Sequence, residues 1–181
     1  MLLKRVPTPA LALGFGGLLP FYAIALAIWL SRASPLSAEW AGYLLSVQIS
    51  YAAVIASFVG AVQWGLGMAN MGWEHQRRPD RNRINDGGDG QRQYEPAVRQ
   101  MLFSVAPALI AWALVLLFQL MPSRAGALFV IMAMAILFVA CYMADARSVR
   151  FGLAPPWYGE LRAWLTGGVL FALLATVFAI I

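Results

Sequence analysis

The sequence predicts an all-α polytopic membrane protein, a bundle of five transmembrane helices that makes the whole of 1–181 a single integral membrane domain. Three observations lead there. Of 181 residues, 61% are hydrophobic and 12% charged, against roughly 45–50% and about 25% in a soluble domain. Five regions each contain an uncharged apolar stretch long enough to cross a hydrocarbon core of about 30 Å at about 1.5 Å per residue. The basic residues collect on one side of such a five-span arrangement. This composition leaves no room for a sizeable extramembrane catalytic domain or a long disordered tail, and a lone cysteine, Cys141, excludes a disulfide scaffold. A β-barrel is excluded because its strands alternate apolar and polar residues, whereas these runs are apolar at consecutive positions.

The spans are expected over about 9–30, 40–68, 98–120, 125–144 and 164–181. The first follows Lys4 and Arg5 and carries Pro20 in its middle. It also fits a cleavable signal peptide ending near Ala25-Leu26-Ala27, although the run is long for that and the proline is out of place in it. The second is the richest in pattern. At about 100° per residue, Gly42, Ser46, Ser50, Ala53, Ser57, Gly60 and Ala61 share about one third of the helix circumference. Small residues mark where membrane helices approach closely, so this stripe is expected to pack. Gln48 and Gln63 fall on the opposite side, where lipid would leave their amides unpartnered. Both faces of span two are therefore expected to meet protein at the bundle centre.

The connection 76–96 is polar, with four arginines in its first eight positions and Gly87-Gly88-Asp89-Gly90 near its middle. It cannot bury enough apolar surface to offset the entropy of ordering, and a mobile cytoplasmic loop is expected. Span three ends at a tight turn in which Ser123 is placed to cap helix four. Span four closes near Asp145, with Arg147 and Arg150 as interfacial ion partners. Span five carries Gly168, Ala172, Ala175 and Ala179 on one side, and is expected to pair tightly with span two.

Eleven basic residues (Lys4, Arg5, Arg77, Arg78, Arg81, Arg83, Arg92, Arg99, Arg147, Arg150 and Arg162) lie on one side of this arrangement, and only Arg32 and Arg124 on the other. The positive-inside rule then places the N-terminus in the cytoplasm and Ile181 outside. The net charge of +5 is accounted for by these residues and by anionic lipid headgroups, with no nucleic-acid partner. Possible partners are the bilayer and other membrane proteins.

Chemistry is scarce. Gly14-Phe15-Gly16-Gly17 lacks the spacing and the preceding strand of a dinucleotide loop. Asn85-Asp86-Gly87-Gly88-Asp89-Gly90 fails as a calcium loop, because aligning on Gly90 puts glycine third and Pro96 twelfth. The single histidine, His75, is read as solvated at the interface and Cys141 as an apolar packer, so no metal set, haem site, cofactor site or catalytic triad can be assembled. No catalytic residue is assigned, and the chain is expected not to be an enzyme. Gln48, Gln63 and Gln119 are the deepest strong hydrogen-bonding groups. Of seven tryptophans, Trp40, Trp73, Trp157 and Trp164 suit interfacial anchoring, with Trp29 a possible fifth. Trp64 and Trp112 lie deeper, as packers or as walls of an apolar pocket.

Three stretches are more specific: Gly17-Leu18-Leu19-Pro20-Phe21, Phe58-Val59-Gly60-Ala61-Val62-Gln63-Trp64-Gly65, and Pro156-Trp157-Tyr158-Gly159-Glu160-Leu161-Arg162-Ala163-Trp164-Leu165-Thr166. Through them the chain resembles a family of small five-span membrane proteins classed only as a domain of unknown function, which is similar to the mitochondrial transmembrane protein 69. The resemblance covers nearly the whole chain outside 76–96. It implies a five-span architecture and an inner-membrane address, and no established activity. With no presequence-like segment before span one, the expected address is a bacterial cytoplasmic membrane.

In physical terms Pro156 suits a first helical turn, and Trp157 and Tyr158 suit headgroup level. Arg162 can pair with Asp145 or a lipid phosphate, and Thr166 can bond back to a helix carbonyl. The candidate cavity residues are accordingly Gly60, Gln63, Trp64, Gly65, Asp145, Pro156, Trp157, Tyr158, Arg162 and Thr166. An accessory or assembly role is the first expectation. Binding or carriage of a small apolar ligand within the bundle is the alternative.

Overall fold

The computed structural model of the chain describes the backbone over 6–31, 37–77 and 89–181, and side chains over 6–31, 40–69 and 100–181. Expectations resting on Lys4, Arg5, Arg32, His75, Trp73 and most of 76–96 therefore lie outside the described residues. The fold is all-helical, with α1 (Thr8–Gly16), α2 (Leu19–Ser31), α3 (Ser37–Arg77), α4 (Asp89–Leu120), α5 (Arg124–Arg150) and α6 (Pro156–Ile180). Five segments are long and apolar enough to cross a membrane: Thr8–Ser31, Trp40–Ala69, Gln100–Leu120, Arg124–Arg150 and Pro156–Ile180. Helical backbone replaces both ends of the connection expected over 76–96, since α3 runs through Arg77 and α4 starts at Asp89.

Span one is two helices rather than one. Pro20 has no N–H to give the carbonyl four residues back, and its ring crowds that carbonyl. The chain tightens, with Leu18 N donating to Phe15 O at 3.0 Å, before Tyr22 N resumes the α pattern on Leu18 O at 3.2 Å. A broken helix in lipid needs its freed carbonyls satisfied by neighbours, and the Tyr51 hydroxyl of α3 donates to Gly17 O at 2.8 Å. The Tyr51 ring also meets Phe21 edge-on, with centroids 4.9 Å apart. Tyr51→Phe keeps the ring and removes the bond. It is expected to destabilise the full chain by about 1 kcal/mol, measured as a lowered midpoint in thermal unfolding of the detergent-solubilised protein.

Span five starts earlier than expected, at Pro156 behind the N-cap Pro155. The turn before it needs Gly152 at φ +70°, a left-handed conformation that closes α5. Leu153 N bonds to Ser148 O at 2.9 Å across this turn. At the opposite end Ser123 Oγ accepts from Gly126 N at 3.1 Å, the expected cap. The Arg124 guanidinium donates to the carbonyls of Ile180 and Ile181, tying the start of α5 to the end of α6.

The core centres on Phe21, Ile49, Ala52, Ala56, Ile131, Met134, Phe138 and Leu173. Helix pairing differs from the expectation that spans two and five form the tight pair. Instead α3 packs on α2, α4 and α5, while α6 packs on α5, α2 and α1. The small-residue face of α6 meets the first span: a Cβ on Gly168 would come within 2.6 Å of a Leu18 methyl. Small residues there leave backbone carbonyls open, and α2 uses them. Tyr22 Oη donates to Gly168 O at 3.1 Å and Trp29 Nε1 to Ala175 O at 3.0 Å. Ala172 and Ala179 are buried on the same helix.

Of the stripe on α3 only Gly60 is buried, while Ala53 packs at the edge of the core. Gly42, Ser50 and Ala61 are exposed, and Ser46, Ala53 and Ser57 half-buried. The buried face is the other one, with Gln48, Ile49, Ala52, Ala56, Val59 and Gln63. A glutamine amide left in hydrocarbon costs more than an alanine or a self-bonded serine, and Ser57 Oγ does return its hydrogen to Ala53 O at 2.8 Å. The glutamines therefore decide which face turns inward. Gln119, by contrast, is exposed.

Candidate functional site

Antiparallel alternation brings the C-terminal parts of α3 and α5 to the same end of the bundle as the N-terminal parts of α4 and α6. Each contributes polar side chains there. Asp145 of α5 is fully buried and Arg162 of α6 is 8% exposed. The Arg162 Nε donates to Asp145 Oδ2 at 2.5 Å. Asp145 Oδ1 accepts from Gln63 Nε2 of α3 at 2.5 Å and from the Tyr158 hydroxyl of α6 at 3.0 Å. Gln63 Oε1 in turn accepts from Gln100 Nε2 of α4 at 2.7 Å and from Ser148 Oγ of α5 at 3.0 Å. One carboxylate, held by three donors, thus connects three helices, and Gln63 brings in the fourth.

This arrangement corrects several expectations. Asp145 is interior rather than interfacial, and of the partners expected for it the ion pair forms with Arg162, as the sequence allowed, and not with Arg147 or Arg150. The reason is length: α5 continues to Arg150, so Asp145 lies well inside the helix. Tyr158 is not spent at headgroup level, because its hydroxyl is drawn onto the buried carboxylate. Thr166 does not bond back to a carbonyl; its Oγ1 is buried with no partner among the described residues. The back-bonding threonine of α6 is Thr176, which donates to Ala172 O at 3.0 Å. Gln48 reaches only long bonds, at 3.5 Å to Phe21 O and 3.4 Å to Thr176 Oγ1.

Against this network lies a cavity of about 390 Å³ between α3, α4 and α5. Gly60, Gln63 and Asp145 line it, together with Gln100, Ser148, Cys141 and Arg147, which sequence reasoning did not assign to a site. Apolar walls come from Val59, Phe103, Pro107, Ile110 and Leu137. The volume falls within the range of about 300–1,000 Å³ typical of small-molecule sites. Gly60 is a point of close approach between α3 and α4, since a Cβ there would lie 2.5 Å from the Ser104 carbonyl oxygen. Of the other candidates, Arg162 and Thr166 line a separate, smaller cavity of about 100 Å³. Trp64 and Gly65 are exposed, Pro156 is exposed in the first turn of α6, and Trp157 is half-buried. Trp64 and Trp112 wall neither cavity: both face outward.

The missed residues carried a faint signal. Ser148 stands three residues after Asp145 and so shares its helix face, and Gln100 opens the apolar part of α4. Among the described residues no group of three or more His, Cys, Asp or Glu side chains is placed to hold a metal ion.

The model of a family described as protein of unknown function, DUF3429, matches residues 6–178. The chain is also similar to transmembrane protein 69 of Xenopus tropicalis, 29% identical over 180 residues, which is 97% of this chain and 56% of the relative. It thus spans about half the length of that curated relative. No solved structure matches. A five-span helical bundle with a family match over nearly its full length places this chain in the DUF3429 family of membrane proteins of unknown function.

Proposed function

We propose that this multi-pass protein is a non-enzymatic binder of a small amphiphile, held in the cavity between α3, α4 and α5. The observation that carries this reading is the cavity itself: about 390 Å³, apolar along most of its wall, with Gln100, Ser148 and Arg147 gathered at one side. An apolar body would lie along Phe103, Pro107 and Ile110, and a polar or anionic head would reach the amide, the hydroxyl and the exposed guanidinium. The network behind the cavity supports binding over catalysis. Asp145 is already held by three donors, and the Ser148 hydroxyl on the cavity wall gives its hydrogen to Gln63 Oε1 rather than to a base. The proposed orientation has the N-terminus on the cytoplasmic side, with the cavity at the cytoplasmic end of the bundle, because the basic residues bias the topology that way.

A second reading, an accessory role within a larger membrane complex, is favoured by the small residues Gly42, Ser50 and Ala61 that α3 leaves uncovered. Native mass spectrometry of the full chain, extracted from its own membrane in mild detergent, separates the two. Binding predicts one retained small amphiphile per chain, lost in Ala140→Phe, whose ring would fill the cavity from its α5 side. A retained polypeptide with no small molecule would reverse the order of the readings.

A further inference from the structure

The smaller cavity lies across the Asp145–Arg162 pair from the site proposed above and does not depend on it. It is lined by residues of α1, α2, α3, α5 and α6, with Phe21, Phe138, Leu165 and Val169 among its apolar walls, and opens past the exposed side chains of Leu13 and Phe58. Two polar groups stand in this setting, one helical turn apart on α6. Arg162 Nη2 and Thr166 Oγ1 are both buried, and neither has a hydrogen-bond partner among the described residues. The residues that carry them are 8% and 5% exposed. Buried polar atoms in native proteins are paired, and each exception calls for a ligand, a water or a function.

The chemistry of these two groups selects what would pair them. A guanidinium nitrogen can only donate and a threonine hydroxyl can donate, so together they suit an acceptor oxygen. Asp145 already compensates the charge of Arg162 at 2.5 Å, so a neutral acceptor fits and a second anion would be left unbalanced in a low-dielectric interior. The volume of about 100 Å³ is below the roughly 150 Å³ of an engineered apolar cavity that takes benzene. A whole ring therefore does not fit inside; the carbonyl edge of a ring, or one ester group with a few carbons, is the scale that fits, with the rest extending through the open side where Leu13 and Phe58 are exposed.

We propose that this cavity binds a neutral carbonyl group carried on an apolar body, its oxygen accepting from Arg162 Nη2 and the Thr166 hydroxyl. A quinone ring and a lipid acyl ester share that chemistry. The test is the ligand-dependent melting of the purified full chain with decylubiquinone, methyl octanoate and, as an acceptor-free control, decane.

At least one carbonyl probe is expected to bind saturably to the unaltered chain and about tenfold more weakly to Thr166→Val, the loss of one hydrogen bond. Thr166→Ser should restore binding, decane should not distinguish the variants, and Ala140→Phe should leave carbonyl binding unchanged. Binding of the quinone alone identifies a ring, of the ester alone an acyl chain, and of both the shared carbonyl. If Thr166→Val does not fold, Val169→Leu, which narrows the cavity without touching either donor, must remove binding. Failure of both carbonyl probes to bind, or equal binding to Thr166→Val, overturns the proposal and leaves the cavity to ordered water.

Discussion

Asp145→Ala is expected to destabilise the bundle by about 3–5 kcal/mol, the cost of leaving a buried charge without its partner. In this variant the Arg162 guanidinium would remain buried beside Tyr158 and Gln63 with nothing to compensate it. Arg162→Met should cost a similar amount for the complementary reason: the carboxylate would keep only the Gln63 and Tyr158 donors. The double variant Asp145→Leu with Arg162→Met removes both charges and fills the space, and should cost much less than the sum of the single changes. Reversible unfolding of the detergent-solubilised full chain measures all three. Additive losses would show that the two side chains do not act as a pair, and would leave Tyr158 as the link from α6 to the network.

Gly60→Leu is expected to have the second large effect. A β-carbon at Gly60 would sit 2.5 Å from the Ser104 carbonyl oxygen and 3.2 Å from the Pro107 ring. A backbone oxygen cannot rotate away, so α3 and α4 must part. Overpacking of this kind costs about 1–3 kcal/mol, and more when backbone has to move. The control is Gly65→Leu, five residues on in the same helix, where a Cβ would meet nothing within 4 Å. It should change stability by no more than about 0.5 kcal/mol. The same unfolding measurement checks both, and equal effects at the two glycines would remove the close approach from the account of how the cavity is shaped.

The bundle was legible in the sequence because its causes are local. Apolar run length sets the spans, Ser123 caps α5, and Pro156 opens α6. The break at Pro20 was visible as a proline inside a span, but the donor that satisfies the Gly17 carbonyl comes from Tyr51, thirty-four positions beyond that glycine, which no local pattern announces. The small residues of α3 misled because two opposing stripes competed for the interior. Small side chains permit close packing, but glutamines require it, and the requirement prevailed.

The site was half legible for a related reason. Gln63, Asp145, Tyr158 and Arg162 were each identifiable as candidates, yet Asp145 and Tyr158 were assigned to the interface because the ends of α5 and α6 were drawn too short. Once α5 runs to Arg150 and α6 starts at Pro156, both side chains fall inside the bundle and converge. Gln100 and Ser148 were missed because each is a single polar residue at the edge of an apolar run. Only the pairing of α3 with α4 and α5 gives them a common partner in Gln63.

The most direct test of the central claim, that polar groups from α3, α4 and α5 form one side of an occupied binding cavity, is an experimental structure of the full chain in lipid nanodiscs without added ligand. The account predicts ordered density for one amphiphile between α3, α4 and α5, its apolar part along Phe103 and Ile110 and its head within hydrogen-bond distance of Gln100 or Ser148. A closed α3–α4–α5 contact, with side chains filling the space and no ligand density, would contradict it.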